Sequence, residues 1–187
     1  PWLGGLEATC EDCMALMARY PDKHFDLAIV DPPYGIGNWS AGAGANSLTP
    51  EEAKKINGWD ARAPNAEYFA ELRRVSRDQI VWGGNYFLEH LGNCLHVVVW
   101  DKKNRRMHLA DGEMAWTSMR GTAMRIFEHH LGFDSKGGNR IHPTQKPVAL
   151  YDWLLANYAK PGQRILDTHL GSGSHAIAAH YFGAHLT

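Results

Sequence analysis

The stretch "IVDPPYGIG", residues 29–37, follows the apolar run "FDLA" and ends a strand in an unusual way. Proline lacks a backbone N–H and fixes φ, so Pro32 and Pro33 stop sheet pairing and stiffen the exit loop. Asp31 and Tyr34 are thereby held on a rigid turn at the carboxyl end of a strand. In open α/β sheets that edge is where ligands bind. Asp-Pro alone reads as a strand-ending turn; the full Asp-Pro-Pro-Tyr after an apolar strand points to a site.

Working outward, short apolar runs bounded by turn residues recur at 27–30, 79–82, 96–100, 114–116 and 164–167. Their β-branched content suits strands buried on both faces, hence a mainly parallel sheet. Between them lie helical stretches at 12–20, 66–75, 148–158 and 174–182. The first opens on Asp12, a good N-cap residue, and the third follows Pro147, which suits a first helical turn. Strands alternating with helices predict a three-layer α/β/α sandwich with a mostly parallel sheet. Two glycine-rich polar stretches, 35–64 and 132–145, break the pattern, and long loops of this kind inside compact domains are commonly lids. The first has few large apolar residues to offset ordering entropy, so it is expected to be mobile, or disordered in part, in the free protein.

The 187 residues suffice for one domain with a substantial core, and 44% hydrophobic with 21% charged residues is an ordinary globular composition. The first residues lack the basic-then-apolar build of a signal peptide, which favours the cytoplasm. Three cysteines are too few and too odd in number for a disulfide framework, and Cys10 with Cys13 lacks the second pair a zinc site needs, so no metal is expected. The formal charge of −1 gives no overall basic field. One local basic run stands out: Lys102, Lys103, Arg105 and Arg106 crowd "WDKKNRRMH", either a solvated loop or a phosphate-contacting patch. The chain starts at Pro1 and stops in what reads as a strand. The single domain, 1–187, is therefore expected to be incomplete at its C-terminus, with 35–64 as a lid or target-recognition loop.

A second motif follows the run at 164–167. In "LDTHLGSGSHAIAA", Gly171 and Gly173 let backbone approach a ligand closely, and the helix from Ser174 offers free N–H groups. The spacing formally matches a dinucleotide fingerprint. A nicotinamide fingerprint, however, normally opens its domain, whereas this one lies at the far end of the chain.

Taken together, "DPPY" at 31–34, "HPTQKP" at 142–147 and "LDTHLGSGS" at 166–174 resemble the S-adenosylmethionine-dependent DNA amino-methyltransferases. The order, catalytic motif first and glycine loop last, is that of their circularly permuted β group. "EDC" at 11–13, "IVWGGNYF" at 80–87, "VVVWDKKN" at 97–104 and "GEMAWTS" at 112–118 extend the resemblance over nearly the whole chain. It departs at Thr168 and His169, where the family has a proline and an aromatic residue. The family's ribose-holding acid would follow the strand at which the chain ends.

The resemblance implies methyl transfer from S-adenosylmethionine to the N6 amine of adenine, with double-stranded DNA as partner and the target base flipped out. It implies no membrane, and is compatible with a homodimer. Asp31 and the Pro32 carbonyl would accept the amine hydrogens, Pro33 would stiffen the turn, and Tyr34 would stack on the base. For the cofactor it implies Asp12 near the adenine amine. Asp167, Gly171, Gly173 and Ser174 would surround the methionine portion, and Thr144, Gln145 and Lys146 would lie in a lid over it. Trp39, like Trp59, is either a DNA contact or lid core. Asp31 shows no structural partner in the sequence, so its removal is expected to abolish transfer and leave folding nearly intact.

Several rivals stay open. N4-cytosine methylation uses the same machinery, although that group more often carries Ser at the position of Asp31. Methylation of RNA or a protein amine more often goes with Asn there. A non-catalytic nucleic-acid-binding relic and a dehydrogenase complete the list. A C5-cytosine enzyme would need a nucleophilic cysteine, typically after proline, and none of Cys10, Cys13 and Cys94 follows one.

Overall fold

A computed structural model describes residues 5–36, 60, 62–105, 110–130 and 145–187. Trp39, Arg106, Thr144, Trp59 and most of the expected lid lie outside the described residues. The helices are α1 (Cys13–Ala18), α2 (Ala66–Val75), α3 (Leu88–Leu91), α4 (Val148–Tyr158) and α5 (Ser174–Phe182), with a 3-10 turn at Gly84–Tyr86. The strands are β1 (Phe25–Val30), β2 (Ser76–Trp82), β3 (Val97–Asp101), β4 (Gly112–Thr117), β5 (Met124–Glu128), β6 (Arg164–Leu166) and β7 (His185–Leu186).

They form one seven-stranded sheet in the order β5-β3-β4-β2-β1-β6-β7. β1 pairs in parallel with β2 and β6, and β7 joins β6 in parallel. β4 is antiparallel to both its neighbours, β2 and β3, while β5 lies parallel to β3. One reversed strand in an otherwise parallel sheet fits the mostly parallel expectation. It also matters for the site, because the N-terminal end of β4 falls on the edge where the other strands finish.

Successive side chains of a strand point to opposite faces, and β1 fills both. Leu27 and Ile29 pack with Leu150, Leu154 and Ala178 of α4 and α5. Ala28 and Val30 pack with Leu16, Phe69 and Leu72 of α1 and α2. Two cores flank one sheet, so the molecule is the three-layer sandwich that the alternation of elements predicts. The caps agree with the chemistry of their residues. Asp12 Oδ1 accepts from the N–H groups of Met14 (2.9 Å) and Ala15 (3.1 Å), and Asn65 Oδ1 accepts from Tyr68 N–H at 3.1 Å. Gly183, at φ +82°, closes α5 in the left-handed conformation that favours glycine.

Candidate active site

Every element that carries a candidate side chain delivers it to the carboxyl edge of the sheet. Asp31 leaves β1, Gly83 follows β2, Lys102 follows β3, and Asp167 follows β6. Glu113 arrives from the other direction, near the start of antiparallel β4, whose Ala115 is opposite Trp82 at the end of β2.

Around Asp31 these pieces form a closed polar cluster. Tyr34 donates its hydroxyl to Asp31 Oδ1 at 2.8 Å, and Lys146 Nζ donates to Asp31 Oδ2 at 2.6 Å. Lys146 Nζ also lies 3.0 Å from Glu113 Oε2, and Lys102 Nζ lies 2.5 Å from Glu113 Oε1. The Lys146 side chain is 3% exposed, against 24% for Asp31. Burial alone would strip the ammonium of its proton, but the Asp31 and Glu113 carboxylates outweigh it and hold the Lys146 pKa above its ordinary value. Glu113 shows the mirror image. Burial pushes its carboxyl up, yet the two lysines win and bring it down to about 2. The Tyr34 phenol is pushed well up, first by burial and then by the neighbouring Asp31 and Glu113 carboxylates, so it stays a donor.

The turn itself is held from below. Asp60 Oδ1 accepts from the N–H groups of Tyr34 (2.6 Å) and Gly35 (3.0 Å). Pro32 is buried and Pro33 half-buried. Tyr86 stacks on the Tyr34 ring, with centroids 5.0 Å apart and planes 19° from parallel.

Next to this cluster, across β6, a cleft runs between the N-terminal segment and the last strands. Glu7, Thr9, Cys13, Asp167, Thr168 and Thr187 are among its lining residues. Asp12 itself turns its carboxylate into the cap of α1, while its neighbours Glu11 and Cys13 face the cleft. Asp167 commits both oxygens locally. Oδ1 accepts from His169 N–H at 3.0 Å, and Oδ2 lies 2.8 Å from Nδ1 of the buried His175. His175 in turn stacks on Tyr151, with ring centroids 4.6 Å apart. Thr168 and His169 make polar contacts, with Thr168 Oγ1 at 2.7 Å from Tyr68 OH and 2.9 Å from His169 Nδ1. Gly171 (φ +57°) and Gly173 (φ +78°) sit in the left-handed region; a Cβ on Gly173 would meet nothing within 4 Å. The N-terminus of α5, with Ser174 as its first residue, carries no side-chain cap, which leaves its N–H groups available.

A family model described as DNA methylase, for the N6/N4 methyltransferases, matches residues 115–186. The putative methylase YubD of Escherichia coli K12 is 26% identical over 187 residues, covering 90% of this chain and 77% of that protein. The chain is similar to the N6/N4 DNA methyltransferases. Two solved structures share the fold of this chain. The M1.HpyAVI–SAM complex superposes with a TM-score of 0.61 at 14% identity, over 97% of this chain and 90% of that one. The cytosine-N4-specific PvuII DNA methyltransferase gives 0.62 at 12% identity, over 98% and 80%.

Several sequence-predicted residues have side-chain partners in the structure. Lys146 sits on Asp31 and Glu113. The basic run is already paired with acids. Lys102 holds Glu113, Lys103 pairs with Glu128, and Arg105 grips Asp101 with contacts of 3.1 and 2.5 Å. Gln145 is half-buried just ahead of Lys146. Glu113 and His175 escape the sequence reading altogether. Glu113 is a single acid in a short strand, and His175 is an unremarkable member of a small-residue helix. No helix among the described residues is long and apolar enough to cross a membrane.

Proposed function

We propose that this methyltransferase acts on the exocyclic N6 amine of adenine in double-stranded DNA, on a base flipped out of the duplex. The observation that carries the reading is the Asp31 carboxylate, aimed from a stiff Pro-Pro turn at the sheet edge, with the Tyr34 ring beside it. An aromatic amine is a poor nucleophile because its lone pair is delocalised into the ring. Asp31 and the carbonyl of Pro32 accept its two hydrogens, favour pyramidal nitrogen and free the lone pair for attack. Preorganised acceptors of this kind stabilise charge as it develops, with no reorganisation at the moment of reaction. Tyr34 gives the extruded base a stacking surface worth about 1–3 kcal/mol, which offsets part of a flipping cost of roughly a few kcal/mol.

S-adenosylmethionine is the methyl donor, and when bound it supplies an activated methyl group on a sulfonium sulfur. The residues present fit it. The glycine loop with Gly171 and Gly173 leaves open space, the uncapped start of α5 at Ser174 offers donors, and Asp167 orders the intervening turn through His169 and His175. The adjoining cleft, where Glu11 and Cys13 flank Asp12, would take the adenosine portion.

Adenine is favoured over cytosine by Asp31, since cytosine-N4 enzymes more often carry Ser there. Cytosine N4 is the second reading, supported by the fold shared with the cytosine-N4-specific PvuII enzyme. The test is incubation of the purified chain with labelled S-adenosylmethionine and mixed-sequence duplex DNA, followed by nucleoside analysis. N6-methyladenine is the expected product. N4-methylcytosine would transfer the assignment to the second reading, and label in neither nucleoside would overturn both.

A further inference from the structure

An ammonium sealed from water costs several kcal/mol unless charges and hydrogen bonds compensate it. Lys146 meets that condition through two carboxylates, Asp31 Oδ2 at 2.6 Å and Glu113 Oε2 at 3.0 Å. The Trp82 and Tyr34 rings close over it, 5.4 and 5.9 Å from Nζ. Glu113 is itself tethered by Lys102 at 2.5 Å, so the chain Asp31, Lys146, Glu113, Lys102 alternates in sign. The transfer reaction as read above uses Asp31 and Tyr34 and assigns Glu113 nothing. Yet antiparallel β4 brings this one acid to the catalytic edge.

We propose that Glu113 is a positioning residue for methyl transfer, acting through Lys146 to fix the orientation of the Asp31 carboxylate. The inference rests on the reading of Asp31 as acceptor of the target amine. A carboxylate offers about four lone-pair sites. The Tyr34 hydroxyl takes one on Oδ1 and the Lys146 ammonium takes one on Oδ2, which stops rotation and leaves the remaining lone pairs aimed in fixed directions. Glu113 supplies the second anchor that keeps Lys146 seated and charged. Among the described residues, the titratable and charged groups facing this ammonium are Asp31 and Tyr34 from the exit of β1 and Glu113 from β4. Lys102 from the exit of β3 lies behind Glu113, and Tyr151 comes from α4. Both phenols are held protonated by burial and then by the nearby carboxylates, which leaves the two lysines as the groups whose charge answers to Glu113, and of these Lys146 is the one that touches Asp31.

The experiment compares wild type, Glu113→Gln, Lys146→Met and the double variant. It measures kcat, the DNA KM, the dependence of kcat on pH, and S-adenosylmethionine affinity by calorimetry. Glu113→Gln should lower kcat about tenfold or more, as small misplacements of reacting groups do. DNA KM and cofactor affinity should stay within about twofold, the scatter of neutral changes. The double variant should be no slower than Lys146→Met alone, because both act on one path. In Glu113→Gln an alkaline fall in kcat should appear below about pH 10, where the lysine normally holds its proton. If Glu113→Gln fails to fold, Glu113→Asp, which keeps the charge but withdraws it, carries the same comparison. Wild-type kcat and pH profile in the Glu113 variants would overturn the proposal, and so would single effects that simply multiply in the double variant. Loss of cofactor affinity in Lys146→Met with kcat intact at saturation would make Lys146 a cofactor contact instead. A wild-type chain that methylates no DNA would sink the underlying reading of Asp31, and this inference with it.

Discussion

A Cβ built on Gly83 would lie 2.2 Å from Cε1 of the Tyr34 ring. Gly83 also holds φ at +66°, in the left-handed region. The first turn after β2 is thus shaped around the aromatic residue that follows β1. Gly83→Ala meets both penalties, a strained backbone costing roughly 1–3 kcal/mol and a ring that must leave its seat. The expected result is a lower melting temperature together with loss of methyl transfer. Transfer at the wild-type rate in a folded Gly83→Ala protein would show that the position of the Tyr34 ring is unimportant.

Asp31→Ala should abolish transfer, but its effect on folding differs from what the sequence suggests. Lys146 is the structural partner that the sequence hides, 115 residues further along the chain. Removing Asp31 leaves a buried ammonium with Glu113 as its remaining carboxylate, at a cost of about 1–3 kcal/mol. Urea unfolding should detect that loss, and Asp31→Ala/Lys146→Met should recover part of it. An Asp31→Ala protein as stable as wild type would mean that the Lys146 contact contributes nothing to folding.

Much of this architecture is legible in the sequence because burial writes it there. α2, α4 and α5 end where the helical stretches end, and β1 and the last three residues of β2 are apolar on both faces. β5 is missed because it is an edge strand with Met124, Arg125 and Ile126 exposed, so no buried pattern marks it. The site follows the same logic. Asp31, Tyr34 and the glycine loop sit on local turns that proline and glycine announce. Glu113 cannot be found that way, since only the reversed direction of β4 and its pairing with β2 bring it beside Lys146. Lys146 is visible as a motif residue, yet its partner depends on the fold.

The Glu113 carboxyl, held at about 2 against an ordinary 4.5, links stability to acid pH. A group depressed in the folded state binds fewer protons there than in the unfolded chain. Its stabilisation is complete above the unfolded value and disappears as pH falls through the folded one. Glu113→Gln should therefore be destabilising near pH 6 and progressively less so below about pH 4.5, where the unfolded carboxyl protonates. Urea unfolding of both proteins at several pH values reads this directly. A penalty independent of pH down to about 2 would mean that the two lysines do not hold the carboxylate.

Cofactor binding should stabilise the folded state by mass action, by about 2.7 kcal/mol at a hundredfold excess over Kd. S-adenosylmethionine should raise the melting temperature, and NADH should not. Asp167→Asn should weaken the effect, because its carboxylate fixes His169 and His175 at the turn leading into the glycine loop. Protection by NADH alone would show that the loop containing Gly171 and Gly173 has been misread.

The basic run divides into two kinds of lysine and arginine, and DNA binding should tell them apart. Lys102 is 11% exposed and spends its charge on Glu113, so Lys102→Gln should slow transfer without altering the salt dependence of DNA binding. Lys103 and Arg105 are accessible, with side chains 38% and 63% exposed; Glu128 is an exposed partner, whereas the Asp101 side chain is 12% exposed. An exposed pair such as Lys103–Glu128 is worth about 0–1 kcal/mol, little enough for a phosphate to replace the acid, and the Arg105 guanidinium keeps N–H donors beyond those Asp101 takes. Each phosphate contact contributes about 0.9 to the slope of log K against log salt. Neutralising Lys103 and Arg105 together should therefore flatten that slope by nearly two units, approaching 2 × 0.9. An unchanged slope would leave both residues as parts of a solvated loop. It would also move the search for phosphate contacts to other surfaces of the carboxyl edge.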